Sequence, residues 1–209
     1  MLYHSLIIAA ALQSLYYIFY YLFEQNVPRF KALTDATKSE TISRINSIIL
    51  TSYFTSTYFF VRTPDDIFIV GDFFVGYLLY DLRYAGNMPM FVHHILCLAL
   101  SYNRNNMAIS QIYEYYRMVV CLESSVILLS VTWLFRTFQY PMNIFHRLLK
   151  VFAYLVWSCM RMGVFPYMIY YTDIVSVKYT MIPLIILNTY WFYLLTRIAF
   201  FKSVKDGNI

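Results

Sequence analysis

The sequence predicts an all-α fold, a polytopic membrane helix bundle, and three observations carry that prediction. Hydrophobic residues make up 60% of the 209 and charged residues only 13%, whereas soluble domains are about 25% charged. Mean hydropathy is +0.55. The apolar residues also fall in long runs separated by short polar clusters. No core of a chain this size hides so much apolar surface from water, so the bilayer must serve as the solvent.

Seven apolar runs can be drawn, each near the ~20 residues that a spanning helix needs. The first covers residues 5–23. Met1–His4 before it has no basic flank, and no small-residue cleavage site closes it, so it reads as a retained helix that also directs insertion. The polar stretch 24–44 is too short to fold alone. The second and third runs, 43–61 and 67–82, are separated by the turn-like cluster Thr63-Pro64-Asp65-Asp66. Gly86-Asn87-Met88-Pro89 introduces the fourth, 88–102, which is short enough to lie obliquely or be enclosed by its neighbours. Asn103-Arg104-Asn105-Asn106 leads into 107–135, followed by 143–171; both are long enough to tilt or project. Asn143, just after Pro141, is a suitable N-cap for the sixth run. Pro166 inside that run should kink it and free a carbonyl. The last run is 178–201. Residues 1–42 then form an N-terminal helix and loop, and residues 43–202 the main transmembrane domain.

Basic residues set the expected orientation. If all seven runs span, one side holds Arg29, Lys31, Lys38, Arg44, Arg83, Arg136, Arg147, Lys150, Arg197, Lys202 and Lys205. The other side holds only Arg62, Arg104 and Lys178. The positive-inside rule then makes the N-terminus lumenal or external and the C-terminus cytosolic. This bias accounts for the net charge of +5. Nucleic-acid binding needs a basic face on a soluble surface, which the sequence does not offer. Cys97, Cys121 and Cys159 all fall within runs and read as packed thiols, not a disulfide framework. The richness in Ile, Tyr, Phe and Asn suits an AT-biased genome, such as that of a protist or a large virus, whose protein would occupy the host's membrane.

Function should lie with the polar residues left at membrane depth. An ionisable side chain there costs at least ~2.5 kcal/mol and usually faces a bundle interior. The set is Asp72 and Asp81, the adjacent His93 and His94, Glu114, Arg117 and Glu123, Arg161, and Asn188 with Trp191. His94, Cys97 and Ser101 follow one another at helical spacing, as do Glu114, Arg117, Cys121 and Ser124. A histidine can accept a proton from an alcohol or amine and return it to a leaving group. Asp81 would orient that imidazole, making His93, His94 and Asp81 the candidate catalytic set. Arg161 or Arg117 would hold a phosphate or carboxylate headgroup, beside Glu123, Asn188 and Trp191. Structural roles compete. Glu114 and Arg117 would neutralise each other, Glu123 and Arg161 would pair, and Asp72 would complement the dipole near its helix start. An adjacent histidine pair has no metal-ligand spacing, so no metal or resident cofactor is expected.

The order of these residues resembles the TLC-domain family, the multi-pass proteins that include the ceramide synthases. The similarity runs from Ser43-Arg44 with Ser47, through Gly76-Tyr77-Leu78-Leu79-Tyr80-Asp81-Leu82 and His93-His94, to Glu123-Ser124-Ser125. Arg161 with Pro166 and Asn188-Thr189-Tyr190-Trp191 complete it. The resemblance implies six helices around a lipid-accessible cavity, with one added N-terminal helix. It further implies an endoplasmic-reticulum or other endomembrane setting and a role in lipid synthesis, sensing or handling. In the synthase branch, cavity histidines and aspartates serve N-acylation of a sphingoid base by acyl-CoA; the matching positions are His93 and His94. The next helix here reads Tyr116-Arg117-Met118-Val119-Val120-Cys121-Leu122-Glu123, without the His-Asp-x-x-Asp segment of that branch. The chain looks more like the small TLC-domain proteins linked to membrane composition.

Three functions follow as expectations. The first is lipid binding or handling in an internal cavity, with membrane lipids as partners and homo-oligomers allowed. The second is a lipid acyltransferase using His93 or His94 as general base and acyl-CoA as co-substrate. The third is a trafficking helper for other membrane proteins.

Overall fold

The computed structural model describes residues 2–60, 63–84, 88–103, 107–138 and 143–197. These are almost wholly helical, with no strand among them. In chain order the helices are α1 (Leu2–Asn26), the single turn α2 (Pro28–Lys31), α3 (Asp35–Phe60), α4 (Pro64–Asp81) and α5 (Met88–Asn103). They continue with α6 (Ile109–Thr137), α7 (Ile144–Ser158), α8 (Phe165–Tyr171) and α9 (Val175–Thr196). A π-helical turn, Cys159–Val164, joins α7 to α8.

Local chemistry explains the boundaries. Thr63 Oγ1 accepts from the Asp66 amide at 3.3 Å, and Asp66 Oδ2 accepts from the Thr63 amide at 3.0 Å. The cluster expected as a turn is therefore also the capping box of α4. Asn143 Oδ1 accepts from the His146 amide at 2.9 Å and caps α7 as expected. The helix α3 begins at Asp35, earlier than its apolar run. Its first two turns are polar, and hydropathy does not mark them. Near Pro166 the chain adopts the wider π turn, which accommodates a residue that has no amide to donate. Pro183 lies inside α9, a feature the sequence reading passed over. The expected turn residues Gly86 and Asn87, the residues 104–106, Pro141, Arg62, and Phe201, Lys202 and Lys205 fall outside the described residues.

Contacts close the helices into a ring. α3 packs on α4, α4 on α5, α5 on α9, α9 on the π turn and α8, and the π turn and α7 on α6, which returns to α3. The helix α1 lies outside this ring against α4, with a smaller contact to α3. Side-chain pairs fix the directions. Ser43 meets Asp81 and Ser47 meets Tyr77, so α3 and α4 are antiparallel. Arg44 lies over the Trp133 ring and Phe54 meets Tyr116 edge to face, making α3 and α6 antiparallel. Tyr154 meets Thr196 and Arg161 meets Asn188, which does the same for α7 and α9. By contrast α1 runs parallel to α4, since His4 meets Asp72 and Gln13 meets Tyr84.

The two ends of the ring differ in character. One gathers Arg29, Lys31, Lys38, Arg44, Arg83, Arg136, Arg147, Lys150 and Arg197. The other exposes aromatic rings, among them Phe59, Phe60, Tyr102, Tyr170, Tyr171 and Tyr179. Among the described residues three helical stretches are long and apolar enough to cross a membrane: Tyr3–Asn26, Ile109–Thr137 and Ile144–Tyr171. Most of their surface is apolar yet not covered by protein. The outer face of α7 is typical, with Phe145, Leu148, Phe152 and Leu155 all more than half exposed. Such a surface requires an apolar solvent.

Candidate functional site: a buried polar core

The ring's interior holds two polar networks. The first joins α3, α4 and α5. Asp81, at the last turn of α4, accepts from Ser43 Oγ at 2.7 Å through Oδ1. Its Oδ2 lies 2.9 Å from His94 Nε2 and 3.4 Å from the Tyr77 hydroxyl. Tyr77 also shares a hydrogen bond with Ser47 at 3.0 Å, and Asn46 donates to the Tyr80 hydroxyl at 2.8 Å. The other nitrogen of His94, Nδ1, lies 2.8 Å from the Met90 carbonyl one turn back. A carbonyl only accepts, so Nδ1 carries hydrogen; a second proton lies between Nε2 and Oδ2, whichever group holds it. His94 therefore has no ring nitrogen left for a substrate.

The second network joins α6, the π turn and α9. Arg161 projects from that turn and is 3% exposed. Its Nη1 donates to Asn188 Oδ1 at 3.0 Å and its Nη2 to the Leu122 carbonyl at 3.3 Å. Glu123 Oε1 lies 3.7 Å from Nη2, an ion pair looser than a direct hydrogen bond. The guanidinium sits 5.8 Å from the Trp157 ring. Arg161 Nε, though buried, has no hydrogen-bond partner among the described residues.

His93 connects the two. Adjacent residues on a helix project ~100° apart, so His93 turns toward α9 where His94 turns toward α4. Its ring meets that of Trp191 at 5.3 Å and that of His94 at 5.5 Å, both edge to face. Its nearest polar neighbour is Cys97 Sγ, 3.7 Å from Nε2 and 3.9 Å from Nδ1. No oxygen or nitrogen among the described residues is hydrogen-bonded to either ring nitrogen.

The structure thus brings together most of the residues singled out from the sequence. His93, His94, Asp81, Glu123, Arg161, Asn188 and Trp191 all belong to this core. Arg117 does not: it is exposed on the flank of α6 and forms no ion pair with Glu114 or any other described residue. The self-neutralising pair expected from their spacing does not form: Arg117 is exposed and Glu114 half-buried, and no ion pair joins them. Asp72 is also placed differently from expectation. The helix α4 starts at Pro64, so Asp72 is two turns in, where it faces His4 at 3.4 Å and not the dipole of the first turn. Ser43, Tyr77 and Cys97 are site residues that the candidate list left out. The i, i+4 spacing of Tyr77 and Asp81, and of His93 and Cys97, was the available signal.

A narrow crevice of about 10 Å³ between α3 and α4 is lined by Leu50, Thr51, Phe54, Phe74, Tyr77 and Glu123. Neither histidine lines it. Fold and core together define an all-helical protein with apolar, uncovered helices and an ionisable interior. No known protein family, curated protein or solved structure matches the chain.

Proposed function

We propose that this protein is a seven-span membrane protein of the TLC type that holds a lipid headgroup against its polar core and so influences membrane lipid composition. One observation carries the reading: Arg161 is buried at mid-bundle with an unpaired Nε, a few ångströms from a loosely held carboxylate. A buried N–H without an acceptor costs about 1–3 kcal/mol. A phosphate, carboxylate or amide oxygen of a lipid supplies such an acceptor, and the His93 ring, held only by the weak Cys97 thiol contact among the described residues, supplies a second contact. The spans not long or apolar enough on their own, α3, α4, α5 and α9, belong to the same ring and share its alternation. That alternation supports seven crossings. The basic end is then cytosolic, the N-terminus lumenal, and the resemblance points to the endoplasmic reticulum or a related endomembrane.

The test is lipid retention. The protein purified in mild detergent should carry endogenous lipid detectable by native mass spectrometry, and Arg161→Gln should lose most of it while remaining monodisperse. Retention unchanged in that variant sinks the reading.

A second reading, lipid acyl transfer, is favoured by one feature: His93 keeps a ring nitrogen available to take a proton. In membranes given labelled acyl-CoA and a lipid amine or alcohol, His93→Gln would abolish transfer at constant protein abundance. Transfer unchanged in His93→Gln rejects it.

A further inference from the structure

A second site of different character lies at the aromatic end, where α8 passes into α9. A shallow, open concavity of about 650 Å³ lies there, large enough to seat a headgroup against one wall. Ile169 and Ile182 form its apolar wall, Tyr170 and Tyr171 flank it, and Asp173 and Lys178 complete the lining. Tyr170 and Tyr171 stand edge to face at 5.0 Å, and Tyr167 supports Tyr171 at 4.6 Å. Asp173 and Lys178 form no ion pair with each other, and neither side chain is hydrogen-bonded to any described residue. An acid and a base thus share one surface concavity, each without a side-chain partner among the described residues.

We propose that this concavity binds the headgroup of a zwitterionic phospholipid of the choline type. Lys178 takes the phosphate. The ammonium lies among the Tyr170 and Tyr171 faces and the Asp173 carboxylate, since ring faces attract cations and quaternary ammonium in particular. Ile182 lies two turns into α9, so the wall beyond the charged pair continues toward the apolar surface where acyl chains run. Asp173 also sets selectivity. A purely anionic headgroup gains from Lys178 but meets a like charge at Asp173, whereas a zwitterion satisfies both. The site is distinct from the Arg161 core and stands without it.

The experiment titrates the full chain in detergent with phosphatidylcholine, phosphatidylglycerol and soluble glycerophosphocholine, and counts bound molecules by native mass spectrometry. Phosphatidylcholine should be held roughly two- to fivefold more tightly than phosphatidylglycerol, the scale of one exposed charged contact. Lys178→Gln should lower phosphatidylcholine binding by a similar factor. Asp173→Asn should instead shift preference toward phosphatidylglycerol. Both positions face solvent or lipid, so these variants should keep the wild-type unfolding temperature. Equal binding of the two lipids by the wild type, or no change in either variant, overturns the proposal. Glycerophosphocholine bound as tightly as the whole lipid overturns the assignment to a membrane lipid.

Discussion

The rings of His93 and His94 lie 5.5 Å apart at 77° to one another, and that near-perpendicular setting divides the pair by role. His94 is locked between Asp81 and the Met90 carbonyl, with both nitrogens used. His93 touches Trp191 and, among the described residues, meets only the Cys97 thiol at its ring nitrogens. One histidine stitches α5 to α4; the other packs between α9 and its own next turn.

The first prediction concerns that stitch. His94→Ala and Asp81→Ala should each lower the unfolding temperature in detergent, because each leaves its partner buried with an unsatisfied group. The double variant should cost less than the two singles summed, with a coupling of about 1–3 kcal/mol. Additive losses would show that the 2.9 Å contact is not an energetic unit.

Much of this was legible in the sequence, for identifiable reasons. Residues 5–23 and 107–135 are long, mainly apolar runs, and a helix follows from hydropathy. Asp81, His94 and Arg161 stood out because ionisable groups are costly in hydrocarbon. The Thr63–Asp66 box and the Asn143 cap are local chemistry and can be read locally. What stayed hidden depends on geometry across the chain. Spacing placed Glu114 and Arg117 within reach of each other, yet reach is not contact: Arg117 is exposed, Glu114 half-buried, and no ion pair joins them. The division between His93 and His94 needed the positions of α4 and α9. The π turn that aims Arg161 between Leu122 and Asn188 leaves only Pro166 as a trace. The Asp72–His4 contact required knowing that α1 lies parallel to α4.

The second prediction separates the members of the Arg161 network. Arg161→Met strands Glu123 in the interior, and removing one partner of a buried pair costs about 3–5 kcal/mol. Glu123→Gln should cost distinctly less, since Arg161 keeps its bonds to Asn188 and the Leu122 carbonyl. Denaturant or thermal unfolding of the two variants side by side decides it. A larger loss in Glu123→Gln would mean that the 3.7 Å ion pair, not the hydrogen bonds, anchors the guanidinium.

The third prediction is a pH dependence at the basic end. Lys38 Nζ lies 3.0 Å from Glu24 Oε2, joining α3 to the end of α1. The hydrogen bond to Glu24 holds the Lys38 ammonium above its ordinary value, against the opposing effect of burial. A raised value favours the charged form in the folded chain. The added stability is therefore complete below the ordinary lysine range and fades as pH rises through the folded value. The gap in unfolding temperature between wild type and Lys38→Met should be constant from pH 7 to 9 and narrow above about 10.5. A gap that persists at higher pH would assign the stabilisation to the lysine stem packed over Phe30 instead of to its charge.

The fourth prediction tests how α1 is attached. Gly76 faces α1 so closely that a Cβ placed there would sit 2.6 Å from Ile8 Cγ2, 2.7 Å from Ile8 Cβ and 2.9 Å from the Ser5 carbonyl oxygen. None of these is the far end of a flexible chain, so α1 itself must move. Gly76→Ala should cost about 1–3 kcal/mol, the usual penalty for overpacking. Shortening Ile8 to Ala in the same chain should recover only part of the loss, because its Cβ and the Ser5 carbonyl still obstruct. The displacement would also open the contacts that follow along α1, where Gln13 donates to the Tyr84 hydroxyl at 2.8 Å and Tyr16 stacks on Tyr84 at 4.7 Å. Gln13→Ala should therefore lower the unfolding temperature in the parent chain and far less in a chain that already carries Gly76→Ala. An equal loss in both would show that α1 tolerates a methyl at Gly76 and that the close approach is not what seats it.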